Sequence, residues 1–262
     1  SSAALCCGFT YAVSVVLDLK IPRKEIALIA QEAEHKIGLN CGLMDQYAVL
    51  FGKKSHALFL DCKDLSYAYI PINLKGYSWI LINSNIKHEL AVDSEYNLRR
   101  KSCEQVVQKL KQSNAKINSL RDVSMKDLMK IKNLLPDTNF KRALHVIQEN
   151  VRVLKMIDAL KTGNAQLVGS ILLEGHISLS KDYEVSTKEL DFLVEIGQKQ
   201  EGVLGSRMMG GGFGGCTINL IKDEYIATTV KDIIEAYRTR TGIEAVYTHL
   251  EIGDSVQLIS PQ

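Results

Sequence analysis

Apolar and polar positions along this chain follow a helical period first, then a strand period, then both by turns. Residues from Ala3 to about Leu19 are mostly apolar, which predicts a buried helix opened by Ser1 and Ser2. Pro22 opens a second helix, as proline does at a first helical position; Ile26, Ile29, Ala30, Ala33 and Ile37 keep the repeat and Gly38 ends it. Gly42 lies at the entry to a third helix running towards Phe51. After the turn Gly52-Lys53-Lys54-Ser55 the pattern predicts a strand over 56–62, then a strand pair at about 67–72 and 78–83 around Lys75-Gly76. Helices follow at about 94–112, from Ser124-Met125-Lys126-Asp127 to a stop at Pro136, at about 138–161 and 164–179, and from Ser186-Thr187-Lys188-Glu189 to about Gln200. A glycine-rich stretch then leads into the strand Cys216–Ile221, a helix over about 223–240 and a last strand over about 243–252. The order β, helices, β, glycine loop, β, α, β mixes hairpin and crossover connections. That predicts an α+β fold rather than a doubly wound parallel sheet. A boundary near Gly76 divides it into an N-terminal domain over 1–76 and a C-terminal domain over 77–262.

The chain is organised around Gly205-Ser206-Arg207-Met208-Met209-Gly210-Gly211-Gly212-Phe213-Gly214-Gly215-Cys216. Five glycines among the six positions 210–215 cannot be a packed helix or strand interior. Consecutive amides in such turns can form an anion-binding nest. A flexible linker is the other reading, but a strand follows at once, so a ligand loop between ordered elements is preferred. The Walker lysine is missing, and so is a G-x-G-x-x-G placed after a strand.

Composition narrows the classes. At 262 residues, 46% hydrophobic and 24% charged, with four prolines, the chain is a globular protein with room for two modest domains. A net charge of +2 gives no reason to expect nucleic acid or an anionic membrane as partner. The six cysteines are dispersed and form no C-x-x-C pair, which fits a reduced, cytoplasmic compartment. Residues 3–17 lack a basic leader and are too short to span a bilayer. His35, His88, His145 and His176 show no metal-ligand spacing, so each reads as a structural hydrogen-bonding residue.

Four polar positions remain open when read alone. Ser1 and Ser2 together present hydroxyls and free amides suited to a phosphate or a magnesium ion, but ordinary N-capping is the better reading of two serines. Glu34 lies beside the apolar stripe of its helix, where a lone carboxylate is usually a solvated edge residue. Asp45 sits in a first helical turn, where the dipole favours an anion and capping alone explains it.

Taken together, several segments resemble one family. Ser1-Ser2-Ala3-Ala4-Leu5 looks like the tail of the phosphate loop of the GHMP kinases, and Gly210-Gly211-Gly212-Phe213-Gly214-Gly215-Cys216 resembles their third motif. Within that superfamily, Gln31-Glu32-Ala33-Glu34-His35 followed by Cys41-Gly42-Leu43-Met44-Asp45-Gln46 is similar to the galactokinase family. So are Asn83-Ser84-Asn85-Ile86-Lys87-His88-Glu89-Leu90, Ser94-Glu95-Tyr96-Asn97-Leu98-Arg99-Arg100 and Asp182-Tyr183-Glu184-Val185-Ser186. The likeness runs along essentially the whole chain.

The resemblance implies a two-domain GHMP kinase fold with the active site in the cleft between domains. It implies ATP-dependent phosphorylation of galactose at its C1 hydroxyl, with ATP and Mg²⁺ as cofactors, in a monomer that binds no nucleic acid and no membrane. Asp45 would be the catalytic base or orient the nucleophile, an aspartate being ionised at neutral pH. Gly42, through its backbone, and Tyr96 would contact the sugar with Asp45. Ser1 and Ser2 would hold ATP phosphates, as would Gly210, Gly211 and Gly212, their loop closing over the transfer region. Ser2 and Glu34 would bind Mg²⁺. The alternatives are an N-acetylgalactosamine kinase and a non-catalytic galactose and ATP sensor; Ala3, Ala4 and Asp45 favour the enzyme. Cys6 stands where relatives often carry glutamate, which touches no assigned role. The chain opens mid-motif on serine, so a longer protein is expected, and the upstream sugar-binding signature lies outside these residues. If the molecule begins at Ser1, it is expected neither to bind galactose well nor to turn over.

Overall fold

The computed structural model of the protein describes residues 2–36, 41–86 and 92–259, with the side chains of residues 92–94 and 96 also outside the description. Two compact units divide the chain. One holds Ser1–Ile72 with Glu251–Gln262, the other Asn73–Leu250.

In the first unit, α1 (Ser2–Val16), α2 (Arg23–Lys36) and α3 (Met44–Phe51) pack together beside a two-stranded antiparallel sheet of β1 (His56–Asp61) and β2 (Ser66–Pro71). Cys7, Ile26, Ala27, Ala30, Tyr47 and Leu50 form its core. The small side chains at 27 and 30 let α1 and α3 approach α2 closely. The buried stripe of α2 is therefore Ile26, Ala27, Ala30 and Glu34, while Ile29 and Ala33 are exposed, which rotates the expected face; Ile37 and Gly38 lie outside the described residues. Glu34 is buried, not the solvated edge residue its isolation suggested.

The last residues return to this unit. Arg23 donates to Ser255 Oγ at 2.7 Å, to the Val256 carbonyl at 2.8 Å and to the Leu50 carbonyl. Ser255 and Val256 in turn donate backbone hydrogen bonds to Gly52 and Val49, each 2.8 Å long. The sequence pattern assigns this stretch to the C-terminal domain, with the boundary between residues 76 and 77. Here the chain changes units at 72 and 73 and comes back after Leu250. These contacts turn on one arginine and residues more than two hundred positions away, which no local pattern announces.

The second unit carries the antiparallel sheet β4-β5-β3-β6, built from β3 (Tyr77–Asn83), β4 (Val203–Met208), β5 (Cys216–Lys222) and β6 (Val246–Leu250). The expected pairing of β2 with β3 does not occur, because β2 pairs with β1 while β3 lies between β5 and β6. Asn73 is the reason: its amide donates to the Leu160 carbonyl at 3.2 Å and its side chain to the Lys161 carbonyl at 2.7 Å, so the link is held by the end of α6 (Asp137–Thr162) rather than folded as a hairpin. With helices and antiparallel strands in both units, the α+β class holds.

Caps set the helix starts as the sequence suggests. Ser124 accepts from the Asp127 amide at the start of α5 (Met125–Lys130), and Thr187 from the Leu190 amide at the start of α8 (Lys188–Lys199). Pro136 is not a stop for α5, which already ends at Lys130; it is the residue before α6, the position where its fixed φ suits a helix entry. Ile80, Ile82 and Ile221 of the sheet pack on Leu193 and Ile196 of α8 and on Val230, Ile233 and Tyr237 of α9 (Ile226–Thr241). A second core joins Val106 and Leu110 of α4 (Val92–Lys111) to Leu128 of α5 and to Phe140, Ala143 and Ile147 of α6.

Candidate active site

In the first unit Ser2, Cys41 and Gln46 converge on one buried carboxylate, Glu34; of the residues named from sequence for the site, Ser2 and Glu34 meet there. Ser2 Oγ donates to Glu34 Oε1 at 2.6 Å. The Gln46 side-chain amide donates to Glu34 Oε2, and Cys41 Sγ lies 3.6 Å from that same oxygen. Residues far apart in sequence meet because Glu34 follows Ile26 and Ala30 at four-residue steps and so faces the core with them. Glu34 is 3% exposed, and among the described residues no cationic side chain is within ion-pair distance of it. Burying an ionised carboxylate is costly unless it is bonded or paired; here hydroxyl, amide and thiol supply the bonds. Gln46 is also buried, and among the described residues its Oε1 has no hydrogen-bond partner.

Asp45 opens the first turn of α3, one residue before Gln46, and is exposed while its neighbour is buried. Leu43, the N-cap residue, makes no side-chain cap bond, so Asp45 is the acidic group at that helix start. Gly42 is exposed, and among the described residues a Cβ there would meet nothing within 4 Å. Ser1 and the side chain of Tyr96 lie outside the described residues.

In the second unit, β4 and β5 are joined by the glycine loop, closed at its base by the Met209 amide donating to the Cys216 carbonyl at 2.9 Å. Its backbone is left-handed at Gly210 (φ 86°), Gly212 (φ 90°), Phe213 (φ 60°) and Gly215 (φ 86°). Gly210 and Gly211 are open to solvent, and a Cβ on either meets nothing within 4 Å; a Cβ on Gly212 would stand 2.1 Å from the Val185 carbonyl. One edge of the loop is thus clamped and the other free to receive a ligand.

The clamp is the segment Tyr183–Val185. Phe213 donates its amide to the Val185 carbonyl at 2.8 Å. Arg99, 4% exposed, holds that segment by donating to the Tyr183 carbonyl at 2.9 Å and to the Glu184 carbonyl, and its guanidinium stacks over the Phe213 ring at 4.9 Å. Glu95 completes the set, accepting from Arg99 at 2.7 Å. Glu184 itself is left-handed (φ 57°), which turns its carbonyl towards Arg99. Sequence reading singled out neither Gln46 nor Arg99 for a function. Both lie inside segments that resemble the family, and their partners are set only by the tertiary fold.

The histidines behave as hydrogen-bonding residues where they are described. His35 lies 2.9 Å from the Cys41 carbonyl and His145 Nδ1 3.0 Å from Ser178 Oγ; His88 is outside the described residues. Among the described residues no group of three or more His, Cys, Asp or Glu side chains could hold a metal ion.

The sequence matches the description "GHMP kinases N terminal domain" over residues 1–53 and "GHMP kinases C terminal" over residues 156–238. It is 44% identical over 260 residues to a galactokinase of Thermotoga maritima, covering 99% of this chain and 71% of that protein. The chain belongs to the galactokinase family. Another galactokinase, from Clostridium perfringens, is 41% identical over 256 residues. Among solved structures, the galactokinase of Lactococcus lactis complexed with galactose superposes with a TM-score of 0.92 at 35% identity, over 97% of this chain. The present chain spans 66% of the length of that structure's chain, just under two thirds. A mevalonate kinase from L. major, 18% identical with a TM-score of 0.58, shares the fold alone. Among the described residues, no helix of this galactokinase-family chain is long and apolar enough to cross a membrane.

Proposed function

We propose that the protein transfers the γ-phosphoryl group of ATP to the C1 hydroxyl of α-D-galactose, giving galactose 1-phosphate and ADP. The observation that carries the proposal is the 44% identity to a galactokinase over 99% of the chain. The bond formed is from the C1 oxygen to phosphorus; the bond broken is from that phosphorus to the oxygen bridging to the β-phosphate, and ADP leaves with the electron pair. The hydroxyl proton passes to the Asp45 carboxylate and on to solvent. Phosphoryl transfer proceeds through a loose transition state, so orienting that hydroxyl is as much of Asp45's work as accepting the proton.

The remaining residues take the parts that the family resemblance implies, and where they are described their surroundings support them. Gly42, with no Cβ and open space around it, offers its backbone to the sugar, with Tyr96 as a second contact. The open edge at Gly210 and Gly211 directs backbone amides at ATP phosphates, with Gly212 beside it on the clamped side, and Ser2, at the start of α1, holds phosphate together with Ser1. Ser2 and Glu34 fit a magnesium ion. Their oxygens are 2.6 Å apart, the carboxylate lacks a cationic partner among the described residues, and two protein ligands are what this ion takes when phosphate oxygens and water fill the rest. When bound there, the ion would neutralise charge on the phosphate oxygens. Gln46 keeps the Glu34 carboxylate oriented towards Ser2.

The test is ³¹P NMR of the full-length protein with ATP, magnesium and either galactose or N-acetylgalactosamine. A sugar 1-phosphate signal with equimolar ADP, formed faster from galactose, is expected. Faster transfer to N-acetylgalactosamine, or saturable binding of sugar and ATP without ADP, would overturn the proposal.

A further inference from the structure

A buried histidine and a half-buried aspartate that take no part in the chemistry above meet at the root of the glycine loop. β4 is an edge strand of its sheet, and α7 (Ala165–Lys181) lies along that edge. The approach is closest at Gly169 and Gly205, where a Cβ on Gly205 would stand 2.1 Å from the Gly169 carbonyl. From there both elements run the same way. The seven residues from Gly169 to His176 rise about 10.5 Å in a helix, and the three from Gly205 to Met208 about 10 Å in a strand. His176 thus arrives level with Met208, and the Met208 amide donates to His176 Nδ1 at 3.3 Å. That amide points away from β5, because the neighbouring Met209 amide is the one bonded to Cys216. With Nδ1 accepting, the ring proton resides on Nε2, which lies 3.2 Å from Asp191 Oδ1. Asp191, in the first turn of α8, also accepts from Ser180 Oγ at 2.8 Å, tying the end of α7 to the start of α8. Burial alone would raise the Asp191 carboxyl, but the donor groups of His176, Ser186 and Ser180 around it outweigh that and hold the group down at about 2. Met208 packs with Leu179, Val185 and Leu190, and Phe213 of the loop packs against that cluster.

We propose that His176 and Asp191 are a positioning pair for ATP. They satisfy the last outward amide of β4 and so fix where the strand stops and the phosphate-facing loop begins. Met208 has a strand on one side only, so without an acceptor from α7 its amide would be buried and unpaired, and the chain would escape that cost by shifting the root of the loop. The sequence hid the pair because its members are fifteen residues apart on different helices.

This proposal rests on the glycine loop binding ATP phosphates, and the experiment separates the two. In the full-length protein, His176→Phe keeps the ring volume and removes the acceptor; His176→Asn returns an acceptor near the place of Nδ1. Hydrogen exchange at Met208 and ¹⁵N shifts of the His176 ring read the pair itself, without any need for activity. Expected are an Nε2–H tautomer in the parent, a loss of Met208 protection of at least tenfold in the phenylalanine variant, and recovery in the asparagine variant. In kinetics the phenylalanine variant should raise the KM for ATP about tenfold with the KM for galactose unchanged, and asparagine should restore it. Should the phenylalanine variant fail to fold, Asp191→Asn keeps the shape without the charge, and the same signs are expected, severalfold in size. An Nδ1–H tautomer, or unchanged Met208 protection in a folded variant, overturns the pair. Lost protection with an unchanged KM for ATP overturns its positioning role and leaves the phosphate loop itself to be judged by the parent's transfer activity.

Discussion

The two glycines at 211 and 212 sit side by side yet should fail differently when given a methyl group. At Gly212, an added Cβ would stand 2.1 Å from the Val185 carbonyl and 2.7 Å from Val185 Cβ, in a backbone with φ of 90°. An alanine there carries about 1–2 kcal/mol of left-handed strain. The overlap adds about 1–3 kcal/mol, as overpacking does elsewhere. Relieving it by moving the loop outward gives up the Phe213–Val185 hydrogen bond, about 1 kcal/mol more. Gly212→Ala should therefore destabilise the protein by about 3–6 kcal/mol and lower the melting temperature by roughly 10 °C or more. At Gly211 nothing lies within 4 Å and φ is not positive, so Gly211→Ala should leave the melting temperature within a degree or two or raise it slightly. If its amide faces ATP phosphates, the methyl group should still raise the KM for ATP several-fold. Calorimetry and initial rates on both variants decide the matter. A Gly212→Ala protein that melts with the parent would refute the clamp at Val185. A Gly211→Ala protein unchanged in both respects would refute a ligand at the loop's open edge.

Two further expectations follow from buried charge. Arg99→Met removes the fork that holds Tyr183 and Glu184 and leaves their carbonyls short of donors; urea unfolding should show a loss of about 3 kcal/mol, and Arg99→Lys, which keeps the charge but not the fork, a smaller one. Burial pushes the His145 imidazole down from 6.5 to about 4. The unfolded chain then takes up this proton more readily than the folded one, so stability is full above about pH 6.5 and falls as pH drops towards 4, by at most about 3 kcal/mol from this group. Denaturant melts across that range should show the slope, and His145→Gln should flatten it.

Much of the fold was legible because it rests on local chemistry. Ser124 and Thr187 announce their helices through hydroxyls that reach amides three residues on, and five glycines around Phe213 can be little other than a turn. Glu34 was misread for a related reason: the helical period gives a stripe, but it was the small size of Ala27 and Ala30 that decided which edge of the stripe faced the core. Of the site, Asp45, Ser2, Glu34 and the glycines were named from motifs, yet the meeting of Ser2 with Glu34 belongs to the packing of α1 on α2. Arg99 reaches residues more than eighty positions away, and β2 turns from β3 because Asn73 is bound at the end of α6. Such links depend on which elements become neighbours, and periodicity does not carry that information.

The activity assigned here turns on one exposed carboxylate at the start of α3. In the full-length protein, Asp45→Asn keeps the shape and removes the anion. The measurement is single-turnover phosphoryl transfer from ATP to galactose, beside the melting temperature and galactose binding of the same variant. The variant should fold and bind galactose as the parent does, with transfer slowed by about 10²–10⁴. Transfer at near the parent's rate in a folded Asp45→Asn protein would contradict the mechanism and remove Asp45 from it.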